Sequence, residues 1–407
     1  MNLSSEAPPP AKPAQWLNRT VLAIGLASLL SDVGHEMATA ALPALLASIG
    51  ANSAMLGLIE GTADALSSFA KLFSGLYSDR LPRRKPLATI GYFLTASGMF
   101  SFGFVTSSWQ ILLGRAFGWL GRGIRSPVRA VLLTEATTKE TYGRAFGFER
   151  AMDSAGAVVG PLAALAAIYA FGIRGVFYWT LLPGLAAAAC IIFLVREKPH
   201  VPGPPRSFHA AWRGLPATFK SYLVGISIAG MGDFANSLLI LWATQAWTPE
   251  LGLEKAAQWA MIGYVGYNVV YMLSCYVAGR LADRYPKHLV LAFGYSLAVI
   301  PAVALIWPGT SIVKFAIVFG FSGLYMGFWE TLEASVAATL LPPEVRGLGF
   351  GTLATVNGIG DFASSVIVGG LWAVNPELSM GLVILASLVG AGMIARTGML
   401  AAREVAG

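Results

Sequence analysis

Residues Gly75–Pro86 read GLYSDRLPRRKP, and 204 residues later Gly279–His288 read GRLADRYPKH. Each stretch is a charged turn followed by an almost uncharged run, Leu87–Thr106 after the first and Leu289–Trp307 after the second. The same register returns elsewhere. Gly143-Arg-Ala-Phe146-Gly147 is echoed by Gly347-Leu-Gly-Phe350-Gly351, and Asp153 and Gly156 by Asn357 and Gly360, all at the offset of 204. Chance matches do not keep one offset across separate helix pairs, so the chain is read as one unit built twice.

Composition says what solvent that unit faces. Of 407 residues 56% are hydrophobic and only 12% charged, and the mean hydropathy is +0.64. A soluble domain carries about 25% charged residues, so much of this surface meets lipid. Val21–Leu30, Gly156–Phe171, Val176–Val195 and Met380–Ile394 add further uncharged stretches, and with their flanks they reach the roughly 20 residues a spanning helix needs. The alternating polarity of a membrane β-barrel is absent. The predicted spans are 18–46, 54–78, 87–106, 108–137, 144–170 and 174–195, then 218–246, 256–280, 288–308, 312–341, 346–373 and 379–399. Twelve transmembrane helices in two pseudo-symmetric six-helix bundles, an all-α membrane protein, is therefore the expected fold. The predicted division is a tail 1–17, a first bundle 18–195, a connector 196–217, a second bundle 218–399 and a tail 400–407.

The net charge of +7 follows the same plan. Arg80, Arg83, Arg84 and Lys85 share one loop, Arg196, Lys198, Arg206, Arg213 and Lys220 another, and Arg280, Arg284, Lys287 and His288 a third. The alternate turns Gly50–Ala54, Thr106–Trp109 and Pro308–Ser311 carry no charge. Basic residues concentrate in cytoplasmic loops, which predicts an inner-membrane protein with both termini cytoplasmic. The excess charge is a topology signal and implies no nucleic-acid partner. No cleavable signal peptide is read in the polar Met1–Gln15 tail. Cys190 and Cys275 lie in apolar runs and read as buried hydrophobes, without a disulfide or a metal site.

On these residues the sequence resembles the major facilitator superfamily. Gly75, Asp79, Arg80, Arg83 and Arg84 match the signature between that family's second and third helices, with Pro82 where glycine is usual; Gly279, Asp283 and Arg284 repeat it. The resemblance implies secondary transport through a cavity at the midplane between the halves. It also implies that these residues work as a cytoplasmic gate, an acid at a helix end pairing with arginine or a helix N-terminus. Arg115 resembles the fourth-helix arginine of a second family motif, which implies proton coupling. Gly156, Gly160 and Pro161 resemble the core of the antiporter motif, although Ala163 and Ala164 replace the glycines that usually follow.

Charge inside the spans is the remaining signal. Arg115, Arg122, Arg125 and Arg129 fall on one face of the fourth helix. A charge at the bilayer centre costs at least about 2.5–3.5 kcal/mol, so that face should meet a cavity or carboxylates, with Arg129 expected to snorkel to the cytoplasmic surface. Candidate partners are Asp32, His35 and Glu36 in the first helix, Glu60 and Asp64 in the second, and Glu149, Arg150 and Asp153 in the fifth. Carboxylates there alternate between protonation and pairing with arginine, the chemistry of a proton relay. In the second half Asp233, Asn236, Tyr267, Asn268, Trp329, Glu330, Glu333, Asn357 and Asp361 are the predicted cavity residues. At the 204 offset Trp329 and Glu333 answer to Arg125 and Arg129, so opposite charges are expected to face each other there.

No Walker sequence, metal-ligand spacing or credible nucleophile motif is present, which disfavours a pump or an enzyme. The preferred reading is a monomeric proton-coupled carrier of a small organic solute, anionic in view of the arginine-rich fourth helix, with no cofactor. Sodium is the alternative coupling ion. A proton/drug antiporter is the second reading, and a lipid-modifying enzyme or a non-transporting sensor the third.

Overall fold

The computed structural model describes residues 16–49, 53–199, 208–233 and 236–406, which are helical with no strand among them. The first half comprises α1 (Arg19–Ser48), α2 (Ser53–Ser78), α3 (Lys85–Ser101), α4 (Ser108–Glu135), α5 (Tyr142–Trp179) and α6 (Leu181–Ala189), the last prolonged by a π-turn over Cys190–Leu194. The continuous apolar segment Lys139–Leu194 holds 56 residues, about 84 Å at 1.5 Å per residue, too long for one pass. Gly172, at φ 72° and ψ 175°, breaks it into two helices. Only glycine adopts that backbone without strain.

A short helix α7 (Phe208–Arg213) sits in the connector, where the sequence suggested none. The second half comprises α8 (Ala217–Gly230) and α9 (Asn236–Leu251), then α10 (Leu253–Arg284), α11 (Lys287–Ser296), α12 (Val299–Ile306), α13 (Ile312–Leu340), α14 (Arg346–Val374) and α15 (Pro376–Ala406). Two expected passes are broken, into α8 with α9 and α11 with α12. The last helix runs on to Ala406 rather than ending near 399.

Packing follows the repeat. Within the first half α4 lies on α2 and α3 and α1 on α6, and within the second α13 lies on α10, α11 and α12 and α8 on α15; the close packing of α1 on α5 has a weaker counterpart in α8 with α14. The halves meet chiefly along two seams, α5 with α10 and α2 with α14. The outer surface is apolar: Phe73, Leu165, Phe193 and Leu385 are each more than 60% exposed, which in water would be untenable and in lipid costs nothing. Among the described residues seven segments are long and apolar enough to cross a membrane by length and composition alone. Of the longer helices α2, α4 and α14 miss this standard, and α7, α8 and α9 are too short for it.

Candidate functional site

At the end of the bundle that bears the charged loops, the halves are tied by two reciprocal caps. Asp79, just beyond α2, accepts from the backbone N–H groups of Gly347 and Leu348, both at 2.9 Å. Asp283, near the end of α10, accepts from those of Gly143 at 2.8 Å and Arg144 at 3.1 Å. The first turn of a helix has free N–H donors and the positive end of the dipole, so each acid caps a helix of the opposite half. The four positions obey the offset: 79 with 283, and 143 with 347. Glycine is required here because the backbones touch. A Cβ on Gly75 would collide with the carbonyl oxygen of Gly347, and one on Gly143 with that of Gly279.

Cations back the acids differently in the two copies. Arg84, wholly buried, stands 3.6 Å from Asp79 and also pairs with Glu135. Asp283 is held by Arg144 at 2.7 Å and Lys287 at 3.1 Å. Arg80, Arg83 and Arg284 are exposed. Burial pushes the Asp79 carboxyl up to about 6, against the opposing pull of the two backbone N–H groups and Arg84. Just inside the seam the rings of Phe146 and Phe350, again 204 apart, pack at 6.1 Å and line the cavity between the halves.

That cavity has a volume of about 230 Å³. On the first-half side Arg129 pairs with Glu149 at 2.7 Å and Asp153 at 3.7 Å and donates to Ser28, which itself donates to Glu149. Arg122 lies 3.6 Å from Asp32. Arg150 stands 3.7 Å from Asp153, 3.8 Å from Glu149 and, across the cavity, 3.4 Å from Glu330, which Tyr271 also holds. Arg125 lies over the ring of Tyr92. On the second-half side Glu333 accepts from Tyr295 and Asn357. These are neutral donors. No ion pair to Glu333 occurs among the described residues.

Two expectations need correcting. Arg129 does not snorkel to the surface; it is buried, because Glu149 and Asp153 come alongside it from α5 and form its counter-charge. Glu333 does not face Arg129 as an opposite charge; it is held within its own half, and Arg150 with Glu330 makes the pair across the cavity.

The other candidates divide between this network and a second one. Arg115 stacks on Trp119 and donates to Thr39, and Trp119 donates to Asp64 at 2.7 Å. His35 packs on the same indole and lies 3.7 Å from Glu36. Asp64 thus joins the tryptophan, while Asp32 joins Arg122. Gly156 and Gly160 let α5 approach α1 beside Asp32 and Glu36, and Pro161 is exposed. Tyr267 is buried in a tyrosine stack with Tyr264, and Asn268 donates back to Tyr264. Asp233 lies at the break between α8 and α9, and Asp361 lines the cavity. The side chains of Glu60 and Asn236 lie outside the described residues. Missed in the sequence were Lys71, a cavity lysine in the field of Asp64 and Asp361, and Tyr295. Lys71 falls two turns after Asp64 in an apolar helix, a spacing that signals a shared face.

The family profile described as Major Facilitator Superfamily matches residues 24–365. The chain belongs to the major facilitator superfamily. It is 26% identical over 383 residues to an uncharacterized MFS-type transporter of Methanocaldococcus jannaschii, covering 89% of this chain and 91% of that one. Its fold is similar to the Escherichia coli fucose:proton symporter, with TM-score 0.74 and 15% identity over 93% of this chain and 97% of that one. A shorter region of 115 residues, 28% of each chain, is 30% identical to a multidrug resistance protein of Cronobacter sakazakii. Membership makes this multi-pass membrane protein a transporter of the superfamily rather than an enzyme.

Proposed function

We propose that the protein carries a small organic solute across the inner membrane by alternating access, coupled to protons, as a monomer with both termini and the basic loops cytoplasmic. One observation carries the reading: a polar cavity between the halves, closed at the basic end by two caps made of hydrogen bonds to backbone N–H groups. Hydrogen bonds from a carboxylate to free helix donors exchange with water when the halves part, so such a closure is reversible. A bundle fixed for stability alone has no use for a cavity flanked by opposite charges.

Glu333 is assigned the proton. It is 3% exposed, borders the cavity and is held by neutral donors only, whereas Glu149, Asp153 and Glu330 each have an arginine. Asp32 and Asp64 sit where a relay toward the first half would run. The deciding experiment is solute uptake into proteoliposomes under an imposed pH gradient. Glu333→Gln abolishes gradient-driven uptake and spares solute exchange across equal pH. Loss of both activities in a folded Glu333→Gln protein refutes the assignment. The antiporter reading draws on the partial glycine motif, Gly156 and Gly160 abutting Asp32 and Glu36 on α1, and predicts that solute leaves as protons enter.

A further inference from the structure

One arginine of the cavity has no carboxylate within ion-pair distance among the described residues, although Asp153 and Asp32 act on it from further away. Arg122, Arg129 and Arg150 each have a carboxylate within 4 Å. Arg125 lines the same cavity, is 2% exposed, and has no such carboxylate among the described residues. Its guanidinium carbon lies 4.4 Å from the ring centre of Tyr92, and its Nε and Nη1 have no hydrogen-bond partner among the described residues. A ring face attracts the cation, but it accepts none of those in-plane N–H bonds, and a buried charge without hydrogen bonds is unstable.

The pseudo-symmetric position in the other half carries a second unmatched donor. Trp329 stands 204 residues after Arg125 on α13, 7% exposed and lining the same cavity, and its indole Nε1–H likewise has no acceptor among the described residues. A buried tryptophan N–H normally finds one. Two donors without acceptors therefore border one cavity, one from each half, at positions the repeat makes equivalent.

We propose that Arg125 and Trp329 together bind a singly charged oxyanion, a carboxylate, on the transported solute. The proposal rests on the transport reading above and names its substrate class. The planar guanidinium fork matches a carboxylate with two parallel hydrogen bonds, and the indole N–H supplies a third donor from the opposite half. The two oxygens of a carboxylate suit the planar fork better than the tetrahedral oxygens of phosphate, so a carboxylate is the proposed ligand and inorganic phosphate its control. The cavity is small, about 230 Å³, which suits a small organic acid. An anion held by both halves couples their movement to occupancy.

The test uses the purified full-length protein and a panel of small monocarboxylates, including lactate and benzoate, with their matched amides and inorganic phosphate. Binding is read by calorimetry and by the ligand-induced shift in thermal unfolding. At least one carboxylate should bind while its amide does not. Arg125→Gln should weaken that carboxylate about a hundredfold, and Trp329→Phe, which keeps the ring and removes the donor, about tenfold. Arg125→Lys keeps the charge without the fork and should fall between. Because Arg125→Gln removes an unpaired buried charge, the ligand-free variant should unfold no earlier than the parent, which separates this role from simple packing on Tyr92. Binding of phosphate alone, of no carboxylate, or of carboxylates with unchanged affinity in Arg125→Gln and Trp329→Phe overturns the proposal. Counterflow in proteoliposomes keeps the two readings apart. Counterflow of an uncharged solute alone sinks the anion site and leaves transport standing, whereas carboxylate binding without counterflow sinks transport and leaves the anion site.

Discussion

Removing both caps should open the basic end. Asp79 satisfies two first-turn N–H groups of α14, and Asp283 two of α5. In Asp79→Ala those two donors stay buried while the gate is shut and find water when it parts. A buried donor left unpaired costs about 1–3 kcal/mol, so with two donors the closed state loses about 2–6 kcal/mol per cap. At 1.4 kcal/mol per factor of ten, that shifts the closed-to-open ratio about 30- to 20,000-fold. The caps flank the same interface and share no partner, so their effects add to a first approximation, and the double variant loses about twice as much. Arg80 and Glu344 are exposed on opposite halves at this end. Spin labels at Arg80→Cys and Glu344→Cys, with Cys190 and Cys275 replaced by alanine, read the separation by double electron–electron resonance. The parent should give one short distance. Asp79→Ala/Asp283→Ala should give a dominant longer one, with each single variant between. An unchanged distribution in the double variant would refute the view that the caps hold the gate.

Three more outcomes follow from the same contacts. Gly75→Leu places a side chain where the Gly347 carbonyl lies, so the gate should fail to close: the labels report the long distance, uptake falls more than tenfold, and the protein still folds because the clash is between halves. Arg129→Met strips the main cation from Glu149 and leaves Asp153 with Arg150 alone; thermal unfolding in detergent should register a loss of about 3–5 kcal/mol, recovered in part by adding Glu149→Met. The Asp79 carboxyl lies near 6 in the closed gate against an ordinary value of about 3.9 once water reaches it, so the closed state holds the proton more tightly. Closure should therefore strengthen as pH falls through 6 and be flat above it, and Asp79→Asn should remove this dependence from the label distances.

The overall plan was legible because it is written in long-range regularities. Uncharged runs gave the spans, and the offset of 204 paired Asp79 with Asp283 and Gly143 with Gly347 before any contact was known. What Asp79 touches was not legible, since its donor at Gly347 lies 268 residues away and no local pattern encodes that pairing. Arg129 misled because depth counted from a helix end assumes a helix alone in lipid; the start of α5 brings two carboxylates to its side. Tyr295 left no trace near Glu333, 38 residues on. In α2, α4 and α14 polar residues and glycines lower the apolarity by which spans are recognised, whereas α5 and α13 carry Glu149, Arg150, Asp153, Glu330 and Glu333 and remain apolar enough to be recognised.

The repeat is kept at the gate and broken in the interior, and the two facts have one explanation. Closing a seam on both sides of a pseudo-two-fold axis calls for equal contacts, so Asp79 and Asp283 cap equivalent glycines and Phe146 meets its own counterpart Phe350. Binding an asymmetric solute and a proton calls for unlike walls. Arg125 therefore faces a cavity it shares with a tryptophan at the equivalent position, and Arg129, locked to two acids, answers to Glu333, held by a tyrosine and an asparagine. Had both halves kept the arginines, positions 329 and 333 would have added two cations to the five, Lys71, Arg122, Arg125, Arg129 and Arg150, that already line one cavity of about 230 Å³, and a charge at either wall would repel its mate whenever the gate shut. Divergence at positions 329 and 333 removes that repulsion, and it fits the proposed division in which one half holds the anion's charge and the other the proton.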